Sequence, residues 1–191
     1  MKMGYHYKSR AKLGDAVERK PPIQEKETPK KTNIHDINSI IFYDAYRPYY
    51  EFTNFYQRAP IRINNIIFKT PEHYYQWQKF DDIVARQRII DAPTARIASD
   101  VAEKHKHLVI PNFDKENAML RALRAKFSQY QDLGNLLLST GNRQLIEHNM
   151  YDDYWSDGGD GSGLNIFGKT LMKVRSELND GTLTYTRPFV G

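Results

Sequence analysis

Strand-like runs in this chain lie almost entirely before residue 70, and helical periodicity lies almost entirely after it. A doubly wound sheet needs strands and helices to alternate, so this order points instead to an α+β fold. The expectation is a helix-rich single domain with a small antiparallel sheet or hairpin. Ile40-Ile41-Phe42-Tyr43 is a short β-branched and aromatic run, which predicts a strand. Ile61-Arg62-Ile63 alternates, Asn64-Asn65 is a turn signal and Ile66-Ile67-Phe68 follows, which together predict a hairpin. Thr70 can cap a helix and Pro71 suits its first position, so a helix should run to about residue 81. Further helices are predicted over 83–90, 94–104, 115–130 and 131–139. In the third of these Met119, Leu123 and Phe127 recur on one face. A late strand is expected over 144–148, then a glycine- and aspartate-rich loop over 151–163. A last helix over 165–178 carries Phe167, Leu171, Val174 and Leu178 on its buried stripe.

Residues 1–37 show no such periodicity and contain Pro21, Pro22 and Pro29. They cannot bury enough apolar surface to offset the entropy of ordering, so a disordered basic tail is expected there. The folded domain should span 38–180, with 181–191 as a C-terminal extension. Residues 1–37 hold nine Lys/Arg against five Asp/Glu, and the remainder nineteen against eighteen. The body is therefore nearly neutral, and any direct contact with nucleic acid is expected through the tail. The chain has no cysteine, which excludes thiolate nucleophiles, cysteine-ligated zinc and internal disulfides. No apolar run approaches the roughly 18–20 residues a membrane span requires. Met1-Lys-Met-Gly-Tyr-His lacks the apolar stretch of a secretory signal, so the expected location is cytoplasmic, off the membrane. The six histidines show no ligand spacing: His105 and His107 are two apart, and His73 follows Glu72 alone. No metal and no other cofactor is expected.

Three segments could carry chemistry. At 100° per residue, Glu72, Gln76 and Lys79 fall on one side of the helix that Thr70 opens, setting a carboxylate, an amide and an amine in one stripe. Tyr74 and Trp77 fall on another face and can anchor the helix. The second segment runs from Tyr154 to Asn165 and holds Gly158, Gly159, Gly161 and Gly163, with Asp157 and Trp155 beside them. Such a loop lets backbone approach a ligand closely, and it feeds a helix N-terminus that can face a phosphate. The third, Tyr49 to Phe55, offers aromatic rings, Glu51 and Asn54. Each also has a plainer reading: an exposed polar face, a flexible connection and core aromatics.

Taken together and in order, these segments resemble a known family. Tyr50-Glu-Phe-Thr-Asn-Phe55, Thr70-x-Glu-His-Tyr-x-Gln76 with Lys79-Phe80, Ala122-Leu-Arg-Ala-Lys-Phe127, Leu136-Leu-Leu-x-Thr-Gly141, and Tyr154-Trp-x-Asp-Gly158 with Gly161-x-Gly-x-Asn165 are similar to the motifs of the NADAR (YbiA-like) family. The resemblance spans about residues 40–178. It implies an N-glycosidase acting on the first two intermediates of riboflavin biosynthesis, which releases ribose 5-phosphate and an aminopyrimidine. The alternative it implies is a hydrolase that removes ADP-ribose from guanine, and, third, a module that only binds ADP-ribose or NAD. The partner is then a small phosphoribosyl or ADP-ribosyl molecule, and nucleic acid enters only as an ADP-ribosylated substrate or through the tail. By the same resemblance, Glu72 is a general base or stabilises the oxocarbenium ion. Lys79 binds phosphate or attacks C1 as an amine. Asp152 and Asp157 bind hydroxyls or donate a proton, and Asn54 and Trp155 hold sugar and base. Phe55, Gln76, Phe113, Gly158, Gly161 and Asn165 complete the implied binding set. The sequence departs from the family at Trp77, usually alanine, at Ser156, usually glycine, at Phe113, usually tryptophan, and at Ala98-Ser99, usually Gly-Arg.

Overall fold

In the computed structural model, which describes residues 37–186, the elements run β1 (Ser39–Phe42), β2 (Ile61–Ile63), β3 (Ile66–Phe68), α1 (Pro71–Trp77), α2 (Ile83–Asp91), α3 (Ala95–Lys104), α4 (Lys115–Gln129), α5 (Gln131–Ser139), β4 (Gln144–Glu147) and α6 (Ile166–Asn179). The helices cluster after residue 70 as their periodicity predicts, and the fold is α+β. The basic tail read from residues 1–37 lies outside the described residues except for Ile37.

β2 and β3 form the expected antiparallel hairpin, with Ile61 opposite Phe68. Asn64 and Asn65 both take positive φ, the backbone a tight primed turn demands. The other pair is parallel: Ile40 lies opposite Leu145 and Phe42 opposite Glu147. Order along the chain does not announce this pairing, because its crossover is the whole helical body rather than one helix.

Thr70 accepts from the His73 N–H and Pro71 starts α1, as their chemistry predicts. The helix then stops at Trp77, short of the expected residue 81. Phe80 leaves it to bridge Val109, and the Ile110 N–H donates to Lys79 O at 2.9 Å. Burial of Phe80 with Ala85, Ile89 and Ala98 in a separate apolar cluster outweighs one more helical turn.

The main core is α4 seen end to end. Met119, Leu123 and Phe127 pack with Phe42, Phe52, Phe167 and Leu171. α6 seats against β4 through Gly168, where a Cβ would come within 2.0 Å of Leu145 O. Only glycine allows that approach. Past α6, the Thr186 N–H donates to Ser128 O at 2.9 Å, so the described start of the C-terminal extension turns back onto α4.

One charge lies inside this core. Lys126 is 0% exposed and donates to the carbonyls of Glu51 and Thr53, the latter at 2.8 Å. It clamps the turn between Tyr50 and Asn54. Burial pushes its ammonium down to about 7, opposed by Glu51. Unfolded, the same lysine titrates near 10.4. Between those values the unfolded chain binds the extra proton, so folding stability rises with pH through that window and is flat below it. Lys126→Met removes this dependence. Thermal melts of both proteins from pH 6 to 10 should show the wild-type advantage growing above pH 7, at up to about 1.4 kcal/mol per pH unit. An advantage that stays constant across the range would show that Lys126 keeps its proton throughout.

Candidate active site

A cavity of about 520 Å³ opens where α1, β4, the 43–55 segment and the loop before α6 meet. Its wall includes Asn54, Phe55, Glu72, Gln76, Lys79, Asp152 and Trp155, seven of the residues singled out in the sequence.

Glu72 sits in the first turn of α1 and is 4% exposed. Its Oε2 accepts from Asn54 Nδ2 at 2.5 Å and its Oε1 from Gln76 Nε2 at 2.6 Å. Helical geometry supplies Gln76 one turn along. The 50–54 turn that Lys126 clamps supplies Asn54, whose carbonyl also accepts the Glu72 N–H at 3.1 Å. Burial raises the Glu72 carboxyl above its ordinary range, while Gln76, Lys79 and Asn54 pull it back. All three of those partners favour the charged form. Gln76 Oε1 is buried without a partner among the described residues. The amide N–H is turned to the carboxylate instead.

Lys79 reaches the cavity from the turn that follows α1, where its N–H donates to Gln76 O at 3.2 Å. Its Nζ lies 4.7 Å from the centre of the Tyr75 ring. Burial lowers its ammonium and Glu72 raises it. Trp155 meets Tyr75 edge-on at 5.7 Å, and the two rings form one apolar wall. Burial, then Glu72, pushes the Tyr75 phenol well above its usual value.

Asp152 lines the cavity, and its Oδ1 accepts the N–H groups of Tyr154 and Trp155 at 3.0 and 2.7 Å. The remaining expected residues stand behind the wall. Asp157 is fully buried, with Oδ2 at 2.8 Å from His148 Nδ1 and Oδ1 accepting the Gly159 N–H. It shapes the loop. Phe113 packs on Tyr75 from outside, at 5.7 Å. Gly158 and Gly161 take positive φ and turn the loop sharply. Asn165 is left-handed, and its amide joins Leu145 O to the Glu147 N–H, so it fixes β4 rather than a ligand.

Several wall residues were not anticipated. Tyr75 fell between the two helical faces weighed in the sequence. Arg96 and Ser99 come from α3, and Tyr43 and Asp44 follow β1. The most consequential is Glu147, the last residue of β4 and 6% exposed. A glutamate closing the apolar pair Leu145-Ile146 was the available signal.

Residues 41–179 match the NADAR domain family. The chain is 39% identical over 141 residues to the N-glycosidase YbiA of Shigella flexneri serotype 5b, covering 73% of this chain and 88% of that protein. It is 35% identical over 152 residues to a riboflavin biosynthesis protein of Vibrio vulnificus, covering 78% of this chain and 41% of that protein. The NMR structure of E. coli YbiA matches with a TM-score of 0.71 at 34% identity, covering 84% of this chain and 96% of that one.

Asn54→Ala removes one of the two amide donors to Glu72 and leaves the backbone bond between the two residues. A hydrogen bond to a charged group is worth about 1.5–3 kcal/mol, so the Glu72 carboxyl should titrate about one to two pH units higher in the variant. Carbon-13 NMR titration of the Glu72 carboxyl reads this without any substrate, and an unmoved titration would show that Asn54 does not hold the charge.

Proposed function

The chain belongs to the NADAR domain family, and from that premise we propose that it is a hydrolase cleaving the ribose–nitrogen bond of the first two riboflavin biosynthesis intermediates. The products are ribose 5-phosphate and an aminopyrimidine. The observation that carries this reading is the buried Glu72, held by two amide donors within one cavity with Lys79. Relatives named N-glycosidase and riboflavin biosynthesis protein support the reaction and the substrate class. The cavity volume falls in the range of roughly 300–1,000 Å³ typical of small-molecule sites.

The chemistry follows from the substrate. Ribose C1 bonded to an exocyclic amine opens readily to a cationic imine. Glu72, whose donors oppose burial and favour its charged form, stabilises positive charge at C1. Burial favours the free amine of Lys79, the form that attacks a carbon electrophile. Its addition to C1 and loss of the base leave a lysine imine, which water hydrolyses. In this reading Arg96, at the exposed mouth and 3.5 Å from Asp100, meets the phosphate. Tyr75 and Trp155 face the base.

A second reading, removal of ADP-ribose from guanine, is favoured by one feature. A groove of about 420 Å³ shares Tyr43 and Asp44 with the cavity and carries Arg47 and Arg143. It could receive the second phosphate and nucleoside of a longer substrate. Offering the purified protein both substrate classes, and measuring released ribose 5-phosphate or ADP-ribose, decides between the two.

Glu72→Gln keeps the shape and removes the charge. It should lower kcat by about 10²–10⁴, and wild-type turnover in that variant would remove Glu72 from the mechanism. Borohydride added during turnover should inactivate the enzyme and attach the reduced sugar phosphate to Lys79, seen by peptide mass spectrometry. Turnover that persists with no adduct would mean that water attacks C1 directly.

A further inference from the structure

Breaking a ribose–nitrogen bond requires a proton for the departing amine, and the roles given above leave that proton without a donor. Several carboxyls lie on or near the cavity. Asp157 does not reach the wall, and both its oxygens are engaged by His148 and the Gly159 N–H. Asp152 has its Oδ1 taken up by the backbone N–H groups of Tyr154 and Trp155. Glu72 has an amide donor on each oxygen.

Glu147 differs from all three. It closes β4, is buried and lines the cavity. Its Oε2 accepts the Ser156 hydroxyl at 2.8 Å. The charged groups that face it are Glu72 from α1 and Asp152 and Asp157 from the loop, and all of them are carboxyls. The group facing it from β1's end is the Tyr43 phenol, itself raised by burial and by Glu147. His148, next in the chain, is turned to Asp157. A carboxyl buried among carboxyls, with one neutral donor, keeps its proton.

We propose that Glu147 is the general acid that protonates the leaving nitrogen. This rests on the N-glycosidase reading. After Lys79 has added to C1, its nitrogen gives one proton to the Glu72 carboxylate, which returns it when the sugar leaves the lysine, and the Glu147 O–H bond breaks as an N–H bond forms on the exocyclic nitrogen. The C1–N bond breaks with its electron pair going to that nitrogen, and the base departs as a neutral amine. C1 remains bound as a cationic lysine imine. When water adds to C1, its proton returns to the Glu147 carboxylate, so the acid is restored for the next turnover. Burial, together with Asp152, Glu72 and Asp157, pushes Glu147 up to about 8 against the Ser156 hydrogen bond. An acid of that strength is protonated at neutral pH, whereas at Glu72 an amide donor on each oxygen opposes the effect of burial.

The test is steady-state kinetics of wild type, Glu147→Gln and Ser156→Ala between pH 6 and 10, on phosphoribosylamines with leaving amines of graded basicity. Wild-type kcat should fall above about pH 8, as the acid ionises. Glu147→Gln should lower kcat by about 10²–10³ with KM little changed. Its descending limb should vanish, and its loss should shrink as the leaving amine becomes less basic. Ser156→Ala removes the one hydrogen bond that favours ionisation, so its limb should move to higher pH. This second variant tests the idea even if Glu147→Gln fails to fold. The proposal is overturned if Glu147→Gln keeps the limb, if its loss is equal for every leaving amine, or if the Ser156→Ala limb stays in place. A wild-type protein that releases no sugar phosphate from any phosphoribosylamine overturns the glycosidase reading instead.

Discussion

A carboxylate taken out of water must find hydrogen-bond donors where it is buried, and Glu72 finds them in two amides delivered by unrelated parts of the fold. Gln76 comes free with the helix, one turn along. Asn54 does not: it needs the 50–54 turn held against α1, and that turn is secured by the Lys126 ammonium from α4. The buried lysine and the buried glutamate are thus parts of one arrangement. The lysine fixes backbone carbonyls, the fixed backbone aims an amide, and the amide donates to the buried carboxyl. Apolar packing of Phe52 and Phe127 around it excludes the water that would otherwise compete.

The cavity then sorts its acids by environment rather than by residue type. Glu72 has donors on both oxygens and an amine nearby. Glu147 has one hydroxyl and a ring of like charge. Burial pushes both glutamates toward the protonated form, and their different partners set them apart, two amides and an amine at Glu72 against one hydroxyl and three carboxyls at Glu147. The aromatic wall of Tyr75 and Trp155 raises the contrast, because low polarity magnifies each of these differences.

Much of this was legible in the sequence, for local reasons. Thr70 and Pro71 fix the start of α1, so Glu72 and Gln76 share a face whatever surrounds them. The hairpin follows from Asn64-Asn65, and α4 from the spacing of Met119, Leu123 and Phe127. Lys79 was selected on a helical spacing that does not extend to it. It belongs to the site because Phe80 leaves the helix for a separate cluster. Phe113 and Asn165 stand one layer behind the cavity wall, and sequence distance does not tell a wall from its support. Glu147 is less legible, because strand patterning reads an end-of-strand charge as solvated, whereas the loop from Asp152 to Ser156 closes over it. Such closure is a tertiary fact with no local signature.

The parallel pairing of β1 with β4 sets the order in which the enzyme can be assembled. About a hundred residues separate Ile40 from its partner Leu145. On the ribosome β1 emerges early and must wait for nearly all the helices before its mate exists. Contacts of such long range slow folding, because the chain loses the entropy of a large loop before the pairing rewards it. Tyr43 and Glu147, at the far ends of those strands, both line the cavity. Chains lacking β4 lack the Glu147 side of the cavity, so the pocket is among the last features to come into being.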